Sequence, residues 1–444
     1  MNIICEKMLM NSLPLRFVLF FLLLPGAAFA GDPPGPIYTL AEAVSFAQLH
    51  NPAIKEAEAV IAGAEAEVSG AVADRRPKAA TQYSYSRLAE QPYQRVGGYD
   101  RLASDENVHH WDVSLTQPLF SGFALTGKEK MARIGQDRAE LERQRARIWI
   151  GQDVRVAWYE CLLADRLARL AEENVTALAS HQRQAEGFFR EGLISRNDLL
   201  KAQTALAQAK QDREKSLAAT TVSRARLAVL LGGELPRDRR LEDFPPLAPT
   251  EHVLADLLGE ALAKNPVLGS YRLGLDQLDQ SIRVAGSTAY PSLSLVGKYE
   301  QNGSQLGAID NDYSNENNAS IALAAKWEFF DWGKTDANIA KQQAEKARLA
   351  ARITALEDQI RFEVQQAVLD CSVAGTNIST AEQGLGQARE NWRITELQYQ
   401  NQVATSTDVL DSRTLLSQAE TNYFRALYGY RIAEAQLARS VGRD

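Results

Sequence analysis

Two short stretches, Pro291–Glu300 (PSLSLVGKYE) and Ile321–Phe329 (IALAAKWEF), decide how the chain is read. In the first, Leu293, Leu295 and Tyr299 alternate with Ser292, Ser294, Lys298 and Glu300. In the second, Ile321, Leu323, Trp327 and Phe329 alternate with Ala322, Ala324, Lys326 and Glu328. Period-two alternation is the mark of a strand with one apolar face. Trp111, Val113 and Leu115 repeat the pattern against Asp112, Ser114 and Thr116, and Tyr83 and Tyr85 repeat it against Gln82, Ser84 and Ser86. An ordinary sheet half-buried under helices gives the same alternation. Three features favour a different reading: aromatics on the apolar face, a long polar loop ending DNDYSNENN (310–318), and an export signal. Strands of about ten residues, apolar outside and polar inside, with aromatic flanks and long loops, describe an outer-membrane β-barrel. The expected strands are about 79–93, 106–118, 291–303 and 317–330.

Four strands cannot close a barrel, since the smallest have about eight. An open edge facing lipid would leave backbone groups with no partner. Membrane strands in this chain therefore require several copies to share one barrel. Three copies of four strands would make twelve, around a pore lined by Ser, Thr, Lys, Glu and Asp.

The export signal is residues 1–30. Lys7 and Arg16 precede the apolar run Phe17–Leu24 (FVLFFLLL), and Ala28-Phe29-Ala30 follows as a cleavage site. The alternative of a membrane anchor needs about 20 apolar residues, which this run lacks. Cleavage is expected to leave Gly31 first, with no cysteine there to take a lipid. The whole chain of 444 residues carries 49 Lys plus Arg against 56 Asp plus Glu, a net charge of −7. That acidic balance speaks against a nucleic-acid partner, which calls for a basic face.

An internal repeat organises the rest. Leu40, Asn51, Pro52, Pro77 and Tyr85 recur 214 residues later as Leu254, Asn265, Pro266, Pro291 and Tyr299. Phe120, Cys161, Glu172, Asp198, Leu200, Gln208 and Gly232 recur 210 residues later as Phe330, Cys371, Glu382, Asp408, Leu410, Gln418 and Gly442. The expected divisions are an N-terminal segment 31–39, a first repeat 40–233, a linker 234–253 and a second repeat 254–444. Within the linker, LPRDRRLEDFPPLAPT (235–250) carries four prolines and should not be helical.

Each repeat reads as a helix, two strands, a long helix and a shorter helix. No proline falls between Pro118 and Pro236 or after Pro291. The stretches after Phe120 and Phe330 are rich in strong helix formers over roughly 60 residues, on the order of 90 Å of helix. Leu416, Ala419, Tyr423, Ala426, Tyr430, Ala433 and Leu437 step by threes and fours, a coiled-coil pattern with alanines that permit close approach. The equivalent region of the first repeat, with Arg213, Ser216 and Thr220, is more polar.

Chemistry-bearing groups are sparse. His109-His110 are adjacent on a strand, point to opposite faces and cannot chelate one ion from one side. Cys161 and Cys371 hold equivalent repeat positions and read as small buried thiols; a disulfide is the alternative in an oxidising compartment. No Gly-rich phosphate loop, G-x-S-x-G or H-E-x-x-H occurs. No enzyme, cofactor or metal reading emerges.

Over nearly its whole mature length the chain resembles the TolC-like outer-membrane efflux channels. The resemblance is carried by the duplicated plan, Asn51-Pro52 and Asn265-Pro266, and the strand exits Gln117–Gly122 (QPLFSG) and Phe329–Gly333 (FFDWG). The turns Gly192–Asp198 (GLISRND) and Tyr399–Asp411 (YQNQVATSTDVLD) complete it. It implies a mainly helical fold with membrane β-hairpins: a homotrimer with a shared twelve-stranded barrel in outer-membrane lipid and a helical barrel in the periplasm. The linker and termini would form an equatorial belt. It implies a passive exit duct of a tripartite efflux pump, with a periplasmic adaptor and an inner-membrane pump as partners. The alternatives are the exit duct of a type I secretion system and a periplasmic coiled-coil adaptor or scaffold.

By the same resemblance Asp198 and Tyr399 are expected to hydrogen-bond and hold the periplasmic end closed. Asp408 and Asp411 are expected to form acidic rings at that aperture. Gly192, Leu193, Ile194 and Ser195, with Gln402, Val403, Ala404 and Thr405, are the expected adaptor-contact tips. Gln402 stands where the best-studied channel of the family has a glycine, and Ala404 where it has an arginine that reinforces the closed state. Helix capping is the competing account of Asp198 and Asp408.

Overall fold

The computed structural model describes residues 37–443 apart from 234, 236–239, 245–249 and 251. The expected signal peptide, residues 31–36 and much of the 234–253 linker lie outside these residues. The described chain runs β1 (Ile37–Tyr38), α1 (Leu40–His50), α2 (Pro52–Ala73), β2 (Lys78–Arg87), β3 (Tyr93–Val96), β4 (Tyr99–Leu102), β5 (Asn107–Ser121), α3 (Ala124–Arg190) and α4 (Arg196–Leu231). It continues through β6 (Arg240–Leu241), α5 (Leu254–Lys264), α6 (Pro266–Ala285), β7 (Ser292–Gly303), β8 (Asn317–Lys326), α7 (Lys334–Gln400) and α8 (Ser406–Val441). Helices α3 and α7 are 67 residues each, about 100 Å at 1.5 Å per residue, and α4 and α8 are 36 each. The two copies keep the 214- and 210-residue registers helix for helix.

The single first helix expected in each copy is in fact two. Asn51 and Asn265 hold extended backbone with a proline next, so each ends one helix and caps the next. Asn51 Oδ1 accepts from the Ala53 N–H and its Nδ2 donates to the Leu230 carbonyl at 2.7 Å. Asn265 Oδ1 accepts from the Val267 and Leu268 N–H groups. The short helices α1 and α5 are thereby folded against the ends of α4 and α8.

The strand limits also shift. β2 stops at Arg87 rather than 93, ahead of Pro92, and the connecting loop builds its own hairpin, β3–β4, turned on Gly97-Gly98 at positive φ. β8 stops at Lys326 rather than 330, because its partner β7 begins at Ser292, opposite Lys326. β5 runs on to Ser121 through an irregularity between Pro118 and Phe120, where proline has no N–H to give.

In α8 the expected seam is buried at Leu416, Tyr430, Ala433 and Leu437 and continues to Val441, while Tyr428 and Ala435 are buried on a second side. One helix carries two stripes because it packs on α7 and on α3. At the middle of the long helices, β1 pairs in parallel with β6, bringing the N-terminal segment and the linker together. Trp158 Nε1 donates to the Glu242 carbonyl, and Tyr428 donates to Asp243, so this belt closes over the first core. Cys161 lies in that core and Cys371 in the second. Both are free, and burial pushes each thiol up to about 11. No helix among the described residues is long and apolar enough to cross a membrane.

Candidate functional site

Two regions hold the features that bear on function: the sheet at one end of the long helices and the helix–helix turns at the other. The sheet is antiparallel in the order β2-β5-β7-β8, so the two repeats meet between β5 and β7. Its register puts Tyr83, Trp111, Val113, Tyr299, Leu295, Ile321 and Leu323 on one face. Toward β8 that face is bare: Ile321 is 82% exposed and Leu323 63%. The other face carries Gln82, Ser84, His110, Asp112, Ser114, Lys298, Glu300 and Ser320. There the Lys298 ammonium donates to Glu300 at 2.6 Å, and His110 lies 3.0 Å from Asp112 and bonds Asn302.

His109 and His110 do fall on opposite faces. His109 is nearly buried on the apolar face, bonded to the Tyr83 hydroxyl at 2.6 Å. Tyr83 in turn donates to the Leu306 carbonyl, folding the β7–β8 loop onto that face. Among the described residues no group of His, Cys, Asp and Glu is arranged to hold a metal ion.

Strands β2 and β8 each pair on one side only. The helices repeat this openness: α4 packs on α3, α3 on α8 and α8 on α7. The outermost pair, α4 and α7, present exposed Val222 and Val229 on one side and Phe362, Leu369 and Val373 on the other. One flank of the chain thus ends in β2 and α4, the opposite flank in β8 and α7.

At the far ends of the helices the two turns have one design. Gly192 and Gln402, 210 residues apart, both take positive φ, 74° and 60°. Behind each, two N–H groups close the preceding helix: Gly192 and Leu193 bond the Phe189 and Phe188 carbonyls, and Gln402 and Val403 bond those of Tyr399 and Gln398. Leu193 and Val403 stand exposed at the tips. Ser195 and Thr405 then cap α4 and α8. Asp198 and Asp408 are not the caps themselves but the residues three further on. Asp198 accepts from Ser195 Oγ at 2.7 Å, and Asp408 accepts from both the Thr405 N–H and hydroxyl. The Thr405 bonds hold the Asp408 carboxyl below the usual carboxylate range. Both fall on Oδ2, which leaves Oδ1 outside the capping box. Asp408 and Asp411 are exposed on one side of α8, while Val409 and Ser412 face inward.

The expected hydrogen bond from Tyr399 to Asp198 is not formed. Tyr399 is 2% exposed, its ring lies against His181 (4.9 Å) and Phe188 (5.4 Å), and its buried hydroxyl has no hydrogen-bond partner among the described residues. Burial raises its pKa; Ser406 offsets the rise and the Asp198 charge adds to it. The polar bond at this joint is instead made by His181, whose Nε2 is 2.9 Å from Ser406 Oγ, both groups buried. Sequence reasoning passed over His181, a lone histidine in a long helix whose partner is 225 residues away.

Comparison with known proteins follows the same lines. A family model described as outer membrane efflux protein matches residues 43–233 and 257–443. The cobalt-zinc-cadmium resistance protein CzcC of Cupriavidus metallidurans is 26% identical over 65% of this chain and 66% of its own length, just under two thirds. The outer membrane protein TolC of Vibrio cholerae is 26% identical over 84% of this chain and 86% of its own. Among solved structures, CusC superposes with a TM-score of 0.78 at 17% identity, covering 91% of this chain and 92% of that one.

Proposed function

This chain belongs to the outer membrane efflux protein family, and from that premise we propose that three copies form one channel, the passive exit duct of a tripartite efflux pump. Outer-membrane location and transport without catalysis go with the membership. The observation that carries the trimer is the pair of open flanks. A four-stranded sheet with a bare apolar face and two unpaired edges cannot rest in lipid alone. β2 runs outward and β8 returns, so β8 of one copy and β2 of the next would pair antiparallel, like every other neighbour in the sheet. The flanks of α4 and α7 would meet on the same side. Such a contact is head-to-tail and makes a closed ring when the rotation permits.

In that ring the apolar face meets lipid, and Ser, Asp, Lys and Glu line the pore. At the helix tips Asp408 and Asp411 would contribute six carboxylates, two from each chain, whose field concentrates cations. Exposed Leu193 and Val403 with half-buried Ile194 and Ala404, together with Gly192, Ser195, Gln402 and Thr405, form the knuckles that a periplasmic adaptor would grip, with an inner-membrane pump beyond it. The mass of the detergent-extracted complex should equal three chains. A monomer that keeps its β signal in mild detergent would defeat the proposal. In planar bilayers the channel should prefer cations and be blocked by multivalent cations from the tip side. Asp408→Asn with Asp411→Asn should abolish the block; block as strong as the parent's would leave Asp408 a capping residue only.

A further inference from the structure

We infer that His181 is the clasp that ties the α7–α8 hairpin to α3 at the helix tips, and that it makes this joint acid-sensitive. Its bearing on how the helix tips open rests on the exit-duct reading above. The contact joins three elements: the imidazole from α3, the Ser406 hydroxyl from the first turn of α8, and the Tyr399 ring from the last turn of α7. All three side chains are at least 95% buried, so the bond is made in a dry contact, where a lost partner is not replaced by water. Tyr399, the residue expected to form the latch with Asp198, gives its ring to this cluster, and its hydroxyl makes no hydrogen bond to Asp198 among the described residues.

The duplication supplies an internal control. At the 210-residue offset, His181, Tyr399 and Ser406 correspond to Asn391, Phe189 and Arg196. The corresponding positions therefore hold no imidazole and no hydroxyl. The joint between α3 and α8 inside one chain is therefore clasped, whereas the flank offered by α4 and α7 to a neighbouring copy lacks the equivalent groups. Under the ring arrangement, the unclasped joints lie between copies and each clasp restrains the α7–α8 hairpin within its own copy.

Burial alone holds His181 at about 4, below its usual 6.5, with no neighbouring charge contributing. The groups facing it are Tyr399 from α7 and Ser406 from α8; Asp198 of α4 acts on Tyr399, and Asp408 is engaged by Thr405. The sign follows. Above pH 6.5 the imidazole is neutral whether clasped or released, and the clasp is at full strength. Between 6.5 and about 4 the released imidazole gains a proton that the clasped one refuses, so the clasp weakens by up to about tenfold per pH unit.

Two measurements on the intact full-length channel test this. Hydrogen exchange of the α8 amides over 409–416 should accelerate as pH falls from 6.5 to 4, beyond the intrinsic change, by up to tenfold per unit. His181→Gln keeps a hydrogen-bond group without a titrating proton and should flatten that profile; Ser406→Ala should speed exchange several-fold at pH 7.5. In bilayers, tip-side acid should raise the open fraction of the parent but not of His181→Gln. If the parent's exchange shows no acid dependence, or His181→Gln keeps it, the clasp is refuted. If exchange responds as expected while conductance does not, the clasp stands and its part in gating falls. If Asp408→Asn with Asp411→Asn also leaves conductance and block untouched, the acidic-aperture part of the exit-duct reading fails independently of the clasp.

Discussion

The two repeats match helix for helix, with α3 and α7 and likewise α4 and α8 equal to the residue, yet their joints are made of different materials. Where α1 folds over the end of α4, Phe46 packs beside Gly233. At the matching place in the second repeat, Glu260 receives the Arg443 guanidinium at 2.5 Å and Lys264 at 3.1 Å. Trp158 fills the first core under the linker belt, while its counterpart in the second repeat is Val368, partly buried. Backbone geometry is shared because it follows from caps, turns and helix length. Side-chain chemistry is free to differ wherever only one copy meets the linker or a tip contact. Duplicated scaffolds can thus acquire one-sided devices without changing the fold.

The sharpest way to break the comparison is at its cores. Trp158→Ala removes a fully buried indole and its bond to the Glu242 carbonyl, and should cost about 3–5 kcal/mol. Val368→Ala, at the equivalent site, should cost about 1 kcal/mol. Thermal unfolding followed by the helical signal compares them directly; equal losses would mean the belt adds nothing to the first core.

The asparagine joints come next. Asn51 both caps α2 and reaches across to α4, so Asn51→Ala should cost about 2 kcal/mol, from the cap and the Leu230 bond together. Among the described residues the Asn265 side chain bonds its own helix start alone, and Asn265→Ala should cost about 1 kcal/mol. Denaturant midpoints in the same detergent would separate the two.

At the turns the expected difference is about 1 kcal/mol and has opposite signs. Gln402 holds a left-handed backbone at φ 60°, which glycine takes without steric cost, as Gly192 does in the first copy. Gln402→Gly should stabilise and Gly192→Gln should destabilise by similar amounts. If both destabilise, the Gln402 side chain has a contact that outweighs the backbone.

The smallest effect is at the ion pair. The Arg443 hydrogen bonds, then Lys264, hold Glu260 at about 2, below the usual 4.5. Its contribution is complete above pH 4.5 and is lost as pH falls toward 2. Faster amide exchange in α5 but not in α1 across that window is the expected result.

Much of the architecture was legible from residues alone. The period-two strands, the proline-free helical stretches and the two repeat registers identified the sheet, the long helices and the copies. Their failures are as specific. The break at Asn51 and Asn265 was hidden because Asn-Pro reads equally as a loop end or a kink. The β3–β4 hairpin was missed because Tyr, Gln and Arg around Gly97-Gly98 carry no apolar alternation. At the tips Asp198 and Asp408 lie in the first turns of α4 and α8, and their bonds run to Ser195 and Thr405 three residues back.

What the sequence determined by itself was local or periodic: helix lengths, strand faces, turn positions and the order of elements, all set by propensity, spacing and capping within a few residues. What only the tertiary structure decided was which distant groups meet. The β5–β7 seam, the belt over Trp158 and the His181–Ser406 contact each join residues more than 80 positions apart. A hydrogen bond between such groups gains its strength from shared burial, and burial is a property of packed helices that no single stretch of sequence displays.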